Sequence, residues 1–396
     1  MDEYIPAIQG ALQEAGVDGW LFADFRGSDP LAYRILKLNH TGMLSRRWYY
    51  YLPATGIPRK LVHRIEAHSL ELLPGQPLQY ASWNELQAQL KSMLADHRRV
   101  AMQYSPFNAI PYVARVDAGT IDLVRSFGLE VVTSADLVQR FEAVWTPEQR
   151  EAHRYAARCL RTMIDESFEY IREMVTNRGE VSEHMVQQSI LERFDSYGMR
   201  SDKPPIVAVN AHSADPHFQP TPGSGVIRRG DFVLLDIWAK RREPRSVYAD
   251  ITWTGYVGDT VPEPYPSIFR VVRHARDAAI DFVQDAVHAG QAICGWEVDE
   301  VARETMRKAG YGAYFIHRTG HSIGEEVHGN GANMDNYESR DDRHILPHTC
   351  FSIEPGIYLP GQFGVRSEID MYVSDQAAMV TGQPIQLEVV PILRGS

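Results

Sequence analysis

The sequence has few cysteines, no excess of positive charge and no long apolar run, and each lack excludes a class of protein. Three cysteines among 396 residues, far apart and odd in number, do not predict a disulfide framework, and none forms a C-x-x-C pair. The formal net charge of -11 offers no basic surface for phosphates, so we expect no nucleic acid partner. No run approaches the ~18 apolar residues of a membrane span, so we expect no membrane partner.

The first residues, Met1 to Gly10, also lack the basic and apolar regions of a signal peptide. Because the three cysteines are expected to remain thiols, the sequence predicts a cytoplasmic protein. The one basic cluster, Lys240-Arg241-Arg242 with Arg245, is short and is interrupted by Glu243, which is typical of a solvated loop.

A chain of this length predicts two domains. Residues 1–145 are expected to form a small α/β domain, because strand-like segments (19–23, 47–52, 99–102 and 129–132) are separated by helical patterns such as residues 83–94. The clearest boundary signal is Thr146-Pro147-Glu148-Gln149, which has the residues of a helix N-cap and a capping box. Residues 146–396 combine helices with strands that share a sheet, and this combination predicts an α+β domain.

Five strands are predicted in the second domain, at residues 204–209, 231–238, 248–256, 350–358 and 364–373. They carry four carboxylates in apolar surroundings: Asp236, Asp250, Glu354 and Glu368. A buried charge is costly unless something pairs it. Taken singly, each Asp could cap a turn, and either Glu could form a salt bridge with Arg366. Two divalent cations would neutralise all four carboxylates and leave room for a bridging hydroxide, which is the inventory of a two-metal hydrolase.

The geometry expected for these carboxylates follows from the strands. A hairpin of the strands at residues 231–238 and 248–256 would bring Asp236 and Asp250 side by side. Glu354 precedes the turn-forming pair Pro355-Gly356 and should lie at a strand end.

A histidine-rich segment supplies a nitrogen donor. His317, His321 and His328 lie close together in the sequence, which favours a site over a purely structural role. Gly320 and Gly324 indicate a loop or bent strand rather than a helix, and no Glu follows His317 as in an H-E-x-x-H zinc helix. His321 with the four carboxylates gives a set without thiolates. Such a set suits Mn²⁺, Co²⁺ or Fe²⁺, with Zn²⁺ as an alternative, and differs from a structural zinc site.

On these motifs the chain resembles the M24 metallopeptidase family, which includes creatinase, prolidase and aminopeptidase P and has the pita-bread fold. The motifs are Asn210-Ala211 with Pro216-His217, Asp236 with Asp250, residues 317–324 with Val327-His328, Glu354-Pro355-Gly356-Ile357-Tyr358, and Gly364-Val365-Arg366-Ser367-Glu368. The resemblance covers the whole chain. It implies a creatinase-like N-terminal domain over residues 1–145 and a pita-bread catalytic domain over residues 146–396.

The resemblance also implies roles for the five metal ligands. Asp236 would chelate one metal ion, Asp250 and Glu368 would bridge two ions, and His321 and Glu354 would complete the other site. We expect Mn²⁺ first, with Co²⁺, Fe²⁺ or Zn²⁺ as alternatives.

Further residues are implied to be catalytic. Glu354 would shuttle a proton from water to the leaving amine. His217 and His328 would line the substrate and stabilise the intermediate, while His317 and Arg366 would complete the active site. The implied function is a Xaa-Pro peptidase that acts on a small peptide with proline after the scissile bond, in a homodimer.

Arg340 lies where prolidases carry an arginine that binds the C-terminal carboxylate of a dipeptide, in a strong and directional fork. On this interpretation dipeptides are slightly favoured over the longer substrates of aminopeptidase P; a simple surface arginine is the alternative.

Some features depart from the family pattern. Asp236 and Asp250 are fourteen positions apart (250 − 236 = 14), more than is usual in the family, so residues 240–246 should form a longer hairpin tip. Arg318 replaces a common glycine, and Pro347-His348-Thr349 replaces the usual turn. Three alternatives therefore stay open: a metal-dependent hydrolase or lyase of a non-peptide small molecule, a metal-free creatinase-like amidinohydrolase, and a binding module on an inactive peptidase fold.

Overall fold

A computed structural model describes residues 4–38 and 44–394 of the chain. They form two compact units that divide between Glu142 and Ala143. Within the described residues, none of the helices combines the length and the apolar character needed to cross a lipid bilayer.

The first unit is built on a six-stranded mixed sheet of order β4-β3-β2-β1-β5-β6. Its strands are β1 (Gly19–Phe25), β2 (Arg47–Pro53), β3 (Arg59–His63), β4 (Gln76–Tyr80), β5 (Arg99–Met102) and β6 (Glu130–Thr133). Its helices are α1 (Tyr4–Glu14), α2 (Pro30–Ile35), α3 (Trp83–Leu94), α4 (Ala118–Ser126) and α5 (Ala135–Val138), with 3₁₀ turns at Arg64–Glu66, Pro106–Asn108 and Pro111–Val113. The four predicted strands and the helix at residues 83–94 are confirmed.

Strand β2 shows why this sheet is buried on both faces. Successive side chains of a strand point to opposite faces. Trp48 and Tyr50 pack into one apolar cluster, while Tyr49 and Tyr51 pack into another. The continuous aromatic run therefore lies inside a sheet that is covered on each side.

The helices of the second unit are α6 (Pro147–Arg178), α7 (Glu183–Ser196), α8 (Tyr265–His288) and α9 (Gly295–Lys308), with 3₁₀ turns at Asn210–Ala214 and Gly312–Tyr314. Helix α6 begins as predicted. Thr146 Oγ1 accepts a hydrogen bond from the Gln149 backbone N–H (3.3 Å), and Gln149 Oε1 accepts one from the Thr146 N–H (3.0 Å). The helix ends at Gly179, which has the positive φ of 83° that favours glycine.

The strands of the second unit are β7 (Glu180–Ser182), β8 (Met199–Arg200), β9 (Ile206–Val209), β10 (Val226–Arg228), β11 (Phe232–Arg241), β12 (Ala249–Tyr256), β13 (Ser322–Ile323), β14 (Cys350–Ile353), β15 (Gly356–Leu359), β16 (Phe363–Arg366), β17 (Ile369–Val373), β18 (Ala378–Val380) and β19 (Val390–Pro391). Strands β11 and β12 form an antiparallel hairpin, with β9 beside β11. A second sheet has the order β13-β14-β17-β18, and β15 pairs with β16.

Two predicted strands are each broken in two. Residues 350–358 form β14 and β15, which are interrupted at Glu354-Pro355, and residues 364–373 form β16 and β17, which are interrupted at Ser367-Glu368. The prediction of two continuous strands is therefore wrong. The chain changes its pairing partner at each break: β14 pairs with β17, whereas β15 pairs with β16.

Strand alternation determines which side chains face the interior of the second unit. On β11, Leu235 and Ile237 point towards the core that α6 and α7 cover, so Asp236 points the other way. On β17, Ile369 and Met371 point towards the core under α8 and α9. The polar positions between these apolar residues are thereby collected between the two sheets.

Candidate metal centre

The first two carboxylates lie on the β11–β12 hairpin. In the register of this pair Asp236 is opposite Thr252, and Asp250 is opposite Trp238. The two aspartates are therefore diagonal neighbours and not side by side, as the sequence had suggested, because the hairpin places Thr252 directly across from Asp236. Both remain on the same face of the ladder, since Asp250 and Thr252 are two residues apart on one strand. Asp236 is 7% exposed and Asp250 is 6% exposed.

The two glutamates occupy the strand breaks. The Glu354 backbone N–H donates to the Thr319 carbonyl oxygen (2.7 Å), and Ser352 Oγ donates to Glu354 Oε1 (3.1 Å). The Glu368 N–H donates to the Thr252 carbonyl oxygen (3.3 Å), while Thr252 Oγ1 donates to Glu368 Oε2 (2.6 Å). Each glutamate is thus fixed through both its backbone and its side chain.

His321 reaches the cluster because Gly320 passes very close to strand β14. A Cβ atom at position 320 would lie 1.9 Å from the Ser352 carbonyl oxygen, so only glycine fits there. The neighbouring His321 N–H donates to Ser352 Oγ (3.0 Å). As expected from its glycines, the segment is not a helix.

The protonation of His321 follows from its contacts. Its Nδ1 lies 3.2 Å from the Ser322 carbonyl oxygen, and a carbonyl can only accept, so Nδ1 carries the proton. Burial, with the positive potential of His328 and Arg318, lowers the pKa of His321 well below its usual value, so Nε2 has a lone pair. That lone pair faces Glu354 Oε1 at 3.4 Å and Asp250 Oδ2 at 3.8 Å.

This arrangement fits a metal cation. Asp250, His321 and Glu368 each offer a donor atom within 4.8 Å of the other two. Asp250 Oδ1 is buried and has no hydrogen-bond partner among the described residues. Electron pairs that face one another without a shared proton repel, and a cation between them would turn repulsion into attraction.

The pKa values show the same repulsion. Burial and the charges of Glu368 and Asp236 raise the pKa of Asp250 well above its usual value. Burial and the charges of Glu354 and Asp236 do the same to Glu368. Burial is also the main cause that raises the pKa of Asp236, and it raises that of Glu354 to about 7.

Arg366 is the cation that the chain itself supplies. The side chain is 4% exposed; Nη2 pairs with Asp236, and Nε donates to Thr252 Oγ1 (3.1 Å). Nη1 donates to the Tyr358 hydroxyl (3.0 Å), which lies 2.8 Å from His317 Nε2. His317 Nδ1 faces the Arg318 carbonyl oxygen at 2.6 Å, so Nδ1 carries the proton and Tyr358 donates to Nε2. Burial and Arg366 lower the pKa of His317 to about 3, which keeps the ring neutral.

The remaining histidines lie at the rim of the cluster. The ring of His328 packs edge-on against that of His321, with 4.3 Å between centroids. Desolvation and the charges of Arg318, Lys203 and His217 lower the pKa of His328 to about 4. The exposed His217 is close enough to Asp236 for its charge to act on that carboxylate. The two histidines and the two basic residues therefore surround one side of the site.

Arg340 is exposed, and its guanidinium lies 4.6 Å from the centre of the Trp296 ring. The predicted carboxylate anchor, Arg340, therefore makes a cation–π contact with Trp296.

Sequence reasoning did not assign roles to several residues that hold the cluster: Thr252, Ser352, Tyr358 and Asp370. Thr252 had a signal, since it shares a strand face with Asp250. Asp370 had one as well, since it alternates with Glu368 and Arg366. What the sequence did not show is which backbone and side-chain atoms these residues contact.

Comparisons with known proteins support the same interpretation of the second unit. A family model described as metallopeptidase family M24 matches residues 148–375. The chain is 30% identical over 264 residues to a Xaa-Pro dipeptidase of Lactobacillus helveticus, a match that covers 65% of each chain. It is 30% identical over 273 residues to a protein of Mycobacterium tuberculosis named probable dipeptidase PepE, covering 69% of this chain and 67% of that one. The matches thus span about two thirds of the length of these relatives.

Solved structures show the fold over nearly the whole chain. A dipeptidase PepE from Mycobacterium ulcerans superposes with a TM-score of 0.72 at 24% identity, covering 98% of this chain and 97% of that chain. A Xaa-Pro dipeptidase from Bacillus anthracis superposes with a TM-score of 0.65 at 22% identity, covering 98% and 99%. The expectation of an α+β pita-bread fold is confirmed.

Proposed function

The chain belongs to metallopeptidase family M24, and from that premise we propose that it is a prolidase-like Xaa-Pro peptidase that prefers dipeptides. The observation that carries the proposal is the buried group of Asp250, His321 and Glu368, in which an unprotonated imidazole nitrogen faces carboxylate oxygens. Relatives named Xaa-Pro dipeptidase support the substrate class.

Divalent metal ions are implied by the family, and we propose two of them, with Mn²⁺ first. Asp236, Asp250, His321, Glu354 and Glu368 would hold them. When bound, such ions polarise a peptide carbonyl and acidify water. Oxygen donors dominate the set, which favours Mn²⁺ over metals that prefer thiolates.

Glu354 is the group that would move the proton. Its carboxylate lies 3.4 Å from His321 Nε2 inside the proposed ligand set, where it could take a proton from water and give it up again. The nitrogen before cleavage in a Xaa-Pro bond carries no hydrogen, so it must gain a proton to leave as an amine. Glu354 would accept the proton of the attacking water and deliver it to this nitrogen.

The other residues would orient the site and the substrate. Arg366 holds Asp236 and, through Tyr358, fixes the ring of neutral His317. His328, which is neutral above about pH 4, would donate an N–H to the oxygen on which negative charge develops. His217 would line the same side. Arg340 would pair with the carboxylate of a dipeptide, which requires it to present its exposed edge to the substrate while it packs on Trp296.

Assembly and location are part of the proposal. A homodimer is proposed from the family alone. A cytoplasmic location is proposed because Cys159, Cys294 and Cys350 form no disulfide bonds, as is typical of a reducing compartment.

The test is hydrolysis of a Xaa-Pro dipeptide and of a Xaa-Pro-Xaa tripeptide, with and without Mn²⁺. Wild type is compared with Glu354→Ala and with Glu192→Ala, which changes an exposed glutamate on α7 and serves as the control. We expect Mn²⁺-dependent cleavage of the dipeptide that is lost in Glu354→Ala and kept in Glu192→Ala.

Cleavage of the tripeptide alone would contradict the dipeptide preference and the role of Arg340. If neither peptide is cleaved although metal is bound, the Xaa-Pro function is wrong, and a small-molecule hydrolase or lyase becomes the better interpretation.

A further inference from the structure

Strand β12 carries the metal ligand Asp250 but lacks a strand neighbour over most of one edge. On one side it pairs with β11 along its whole length. On the other side β19 pairs with it only at Gly255 and Tyr256. The backbone groups of residues 250–254 on that side therefore need other partners, because unpaired buried backbone groups are costly.

Hydrogen bonds that are not part of a strand ladder supply these partners at every second residue. Gln386 Oε1 accepts from the Thr254 N–H (3.0 Å), and Gln386 Nε2 donates to the Thr254 carbonyl oxygen (2.6 Å). The Glu368 N–H donates to the Thr252 carbonyl oxygen (3.3 Å). At the ligand itself, Asp370 Oδ2 accepts from the Asp250 N–H (2.8 Å).

We propose that Asp370 is a positioning residue for the metal centre, because its carboxylate holds the backbone of Asp250 where a neighbouring strand would otherwise hold it. The inference rests on the proposed function only in taking Asp250 as a metal ligand. Asp370 acts through Asp250 and is not itself assigned as a ligand.

The surroundings of Asp370 make it rigid. It is 2% exposed, lies on β17 opposite Ser352 of β14, and its carbonyl oxygen accepts from the Thr381 N–H (2.9 Å). His153 packs behind it, with Nε2 4.0 Å from Asp370 Oδ2 and 2.8 Å from Thr381 Oγ1. Because Asp370 is held at its own backbone and packs against His153, its carboxylate can fix the position of the Asp250 backbone.

The geometry also ties Asp250 to Glu368. Both residues bind β12 from the same short stretch of chain: Glu368 through its backbone N–H at Thr252, and Asp370 through its side chain at Asp250. Asp250 and Thr252 are two residues apart on β12, and the residues that contact them, Asp370 and Glu368, are also two residues apart. Loss of the Asp370 contact should loosen Asp250 relative to Glu368, and a loosened pair of donors binds a cation less tightly.

The experiment measures Mn²⁺ affinity by titration calorimetry on chelator-treated full-length protein, without substrate. Wild type is compared with Asp370→Ala, with Asp370→Asn, whose amide oxygen can still accept from Asp250, and with Gln386→Ala. The last removes an edge contact of the same kind at Thr254 and is the matched control. We expect Asp370→Ala to raise the dissociation constant by roughly 10- to 100-fold. Asp370→Asn should lie between it and wild type, and Gln386→Ala should bind as wild type does even though it is less stable.

Wild-type affinity in Asp370→Ala would overturn the proposal, as would equal weakening by Asp370→Ala and Gln386→Ala, which would indicate a general loss of stability. If Asp370→Ala does not fold, Asp370→Ser replaces it, since serine is polar but too short to reach Asp250, and the same criteria apply. A wild type that binds Mn²⁺ but cleaves no Xaa-Pro peptide overturns the proposed function and leaves this test intact.

Discussion

Replacing Glu354 by glutamine in the metal-free protein should stabilise it at neutral pH, although the residue is expected to be essential for activity. Burial, with a smaller contribution from the charge of Asp236, raises the pKa of Glu354 from 4.5 to about 7. A group whose pKa is raised on folding contributes stability below its unfolded pKa and loses it as pH rises through the folded value. The raised pKa is therefore a cost to the folded state that grows as pH rises above about 4.5 and is complete above about pH 7, and the neutral amide of a glutamine at this position would not carry that cost.

The size of the effect follows from the two pKa values. With 1.36 kcal/mol for each pKa unit, the raised pKa of Glu354 lowers the free energy of unfolding by about 3 kcal/mol at pH 7.5 and by about 1 kcal/mol at pH 5.5. Histidines of the unfolded chain also titrate in this range, but they are the same in both proteins and cancel in the difference. A free energy of unfolding is typically about 5–15 kcal/mol, so the change is large enough to measure.

The assay is urea denaturation of chelator-treated wild type and Glu354→Gln at pH 5.5, 6.5 and 7.5, with Glu192→Gln as an exposed control. Mn²⁺ at 1,000 times its dissociation constant should reverse the order at pH 7.5, because a ligand that binds only the folded state then adds about 4.1 kcal/mol, more than the variant's advantage of about 3 kcal/mol, and the variant has lost a donor. The reasoning is refuted if metal-free Glu354→Gln is less stable than wild type at pH 7.5, or if the difference does not shrink towards pH 5.5.

Three further substitutions test other parts of the site. Arg366→Met leaves Asp236 buried without its cation and should lower the free energy of unfolding by about 3–5 kcal/mol in urea denaturation; a loss below about 1 kcal/mol would show that the pair is dispensable. Lys240→Met removes the ammonium group that donates to the Glu325 carbonyl oxygen and so holds the loop of His328; kcat/KM should fall roughly 10-fold with unchanged Mn²⁺ affinity, and weaker metal binding would contradict a role limited to the loop. Arg340→Ala should raise KM for the dipeptide by roughly 10-fold or more and leave that for the tripeptide unchanged; equal effects on both would exclude a carboxylate anchor.

The sequence predicted best those parts of the fold that local chemistry decides. Helix α6 begins at the predicted capping box, because Thr146, Pro147 and Gln149 act within one turn of chain. The hairpin strands were found because the apolar run of residues 231–238 and the alternation of residues 248–256 are local patterns.

The parts that escaped prediction depend on pairing between distant segments. The pair Pro355-Gly356 marks a strand end at Glu354, but nothing local in residues 350–358 shows that the chain then pairs with a different strand. Asp236 and Asp250 are diagonal neighbours because of the register of the hairpin. The sequence did not determine this register, because it did not determine how many residues form the hairpin tip. Asp370 could be placed on the face of Glu368 by alternation, but its contact with the Asp250 N–H requires knowing that β12 has an open edge there.

Charge balance connects the cluster with its proposed cations. Five buried or nearly buried carboxylates would carry five negative charges: Asp236, Asp250, Glu354, Glu368 and Asp370. Among the described residues, Arg366 is the one cation that pairs directly with members of this set. Burial raises the pKa values of all five carboxylates, so protons can neutralise the set in the metal-free protein. One divalent ion would leave a net charge of about −2 on the ionised set, and two would cancel it. Since an uncompensated buried charge is expensive, this charge balance supports the proposed pair of ions over a single ion.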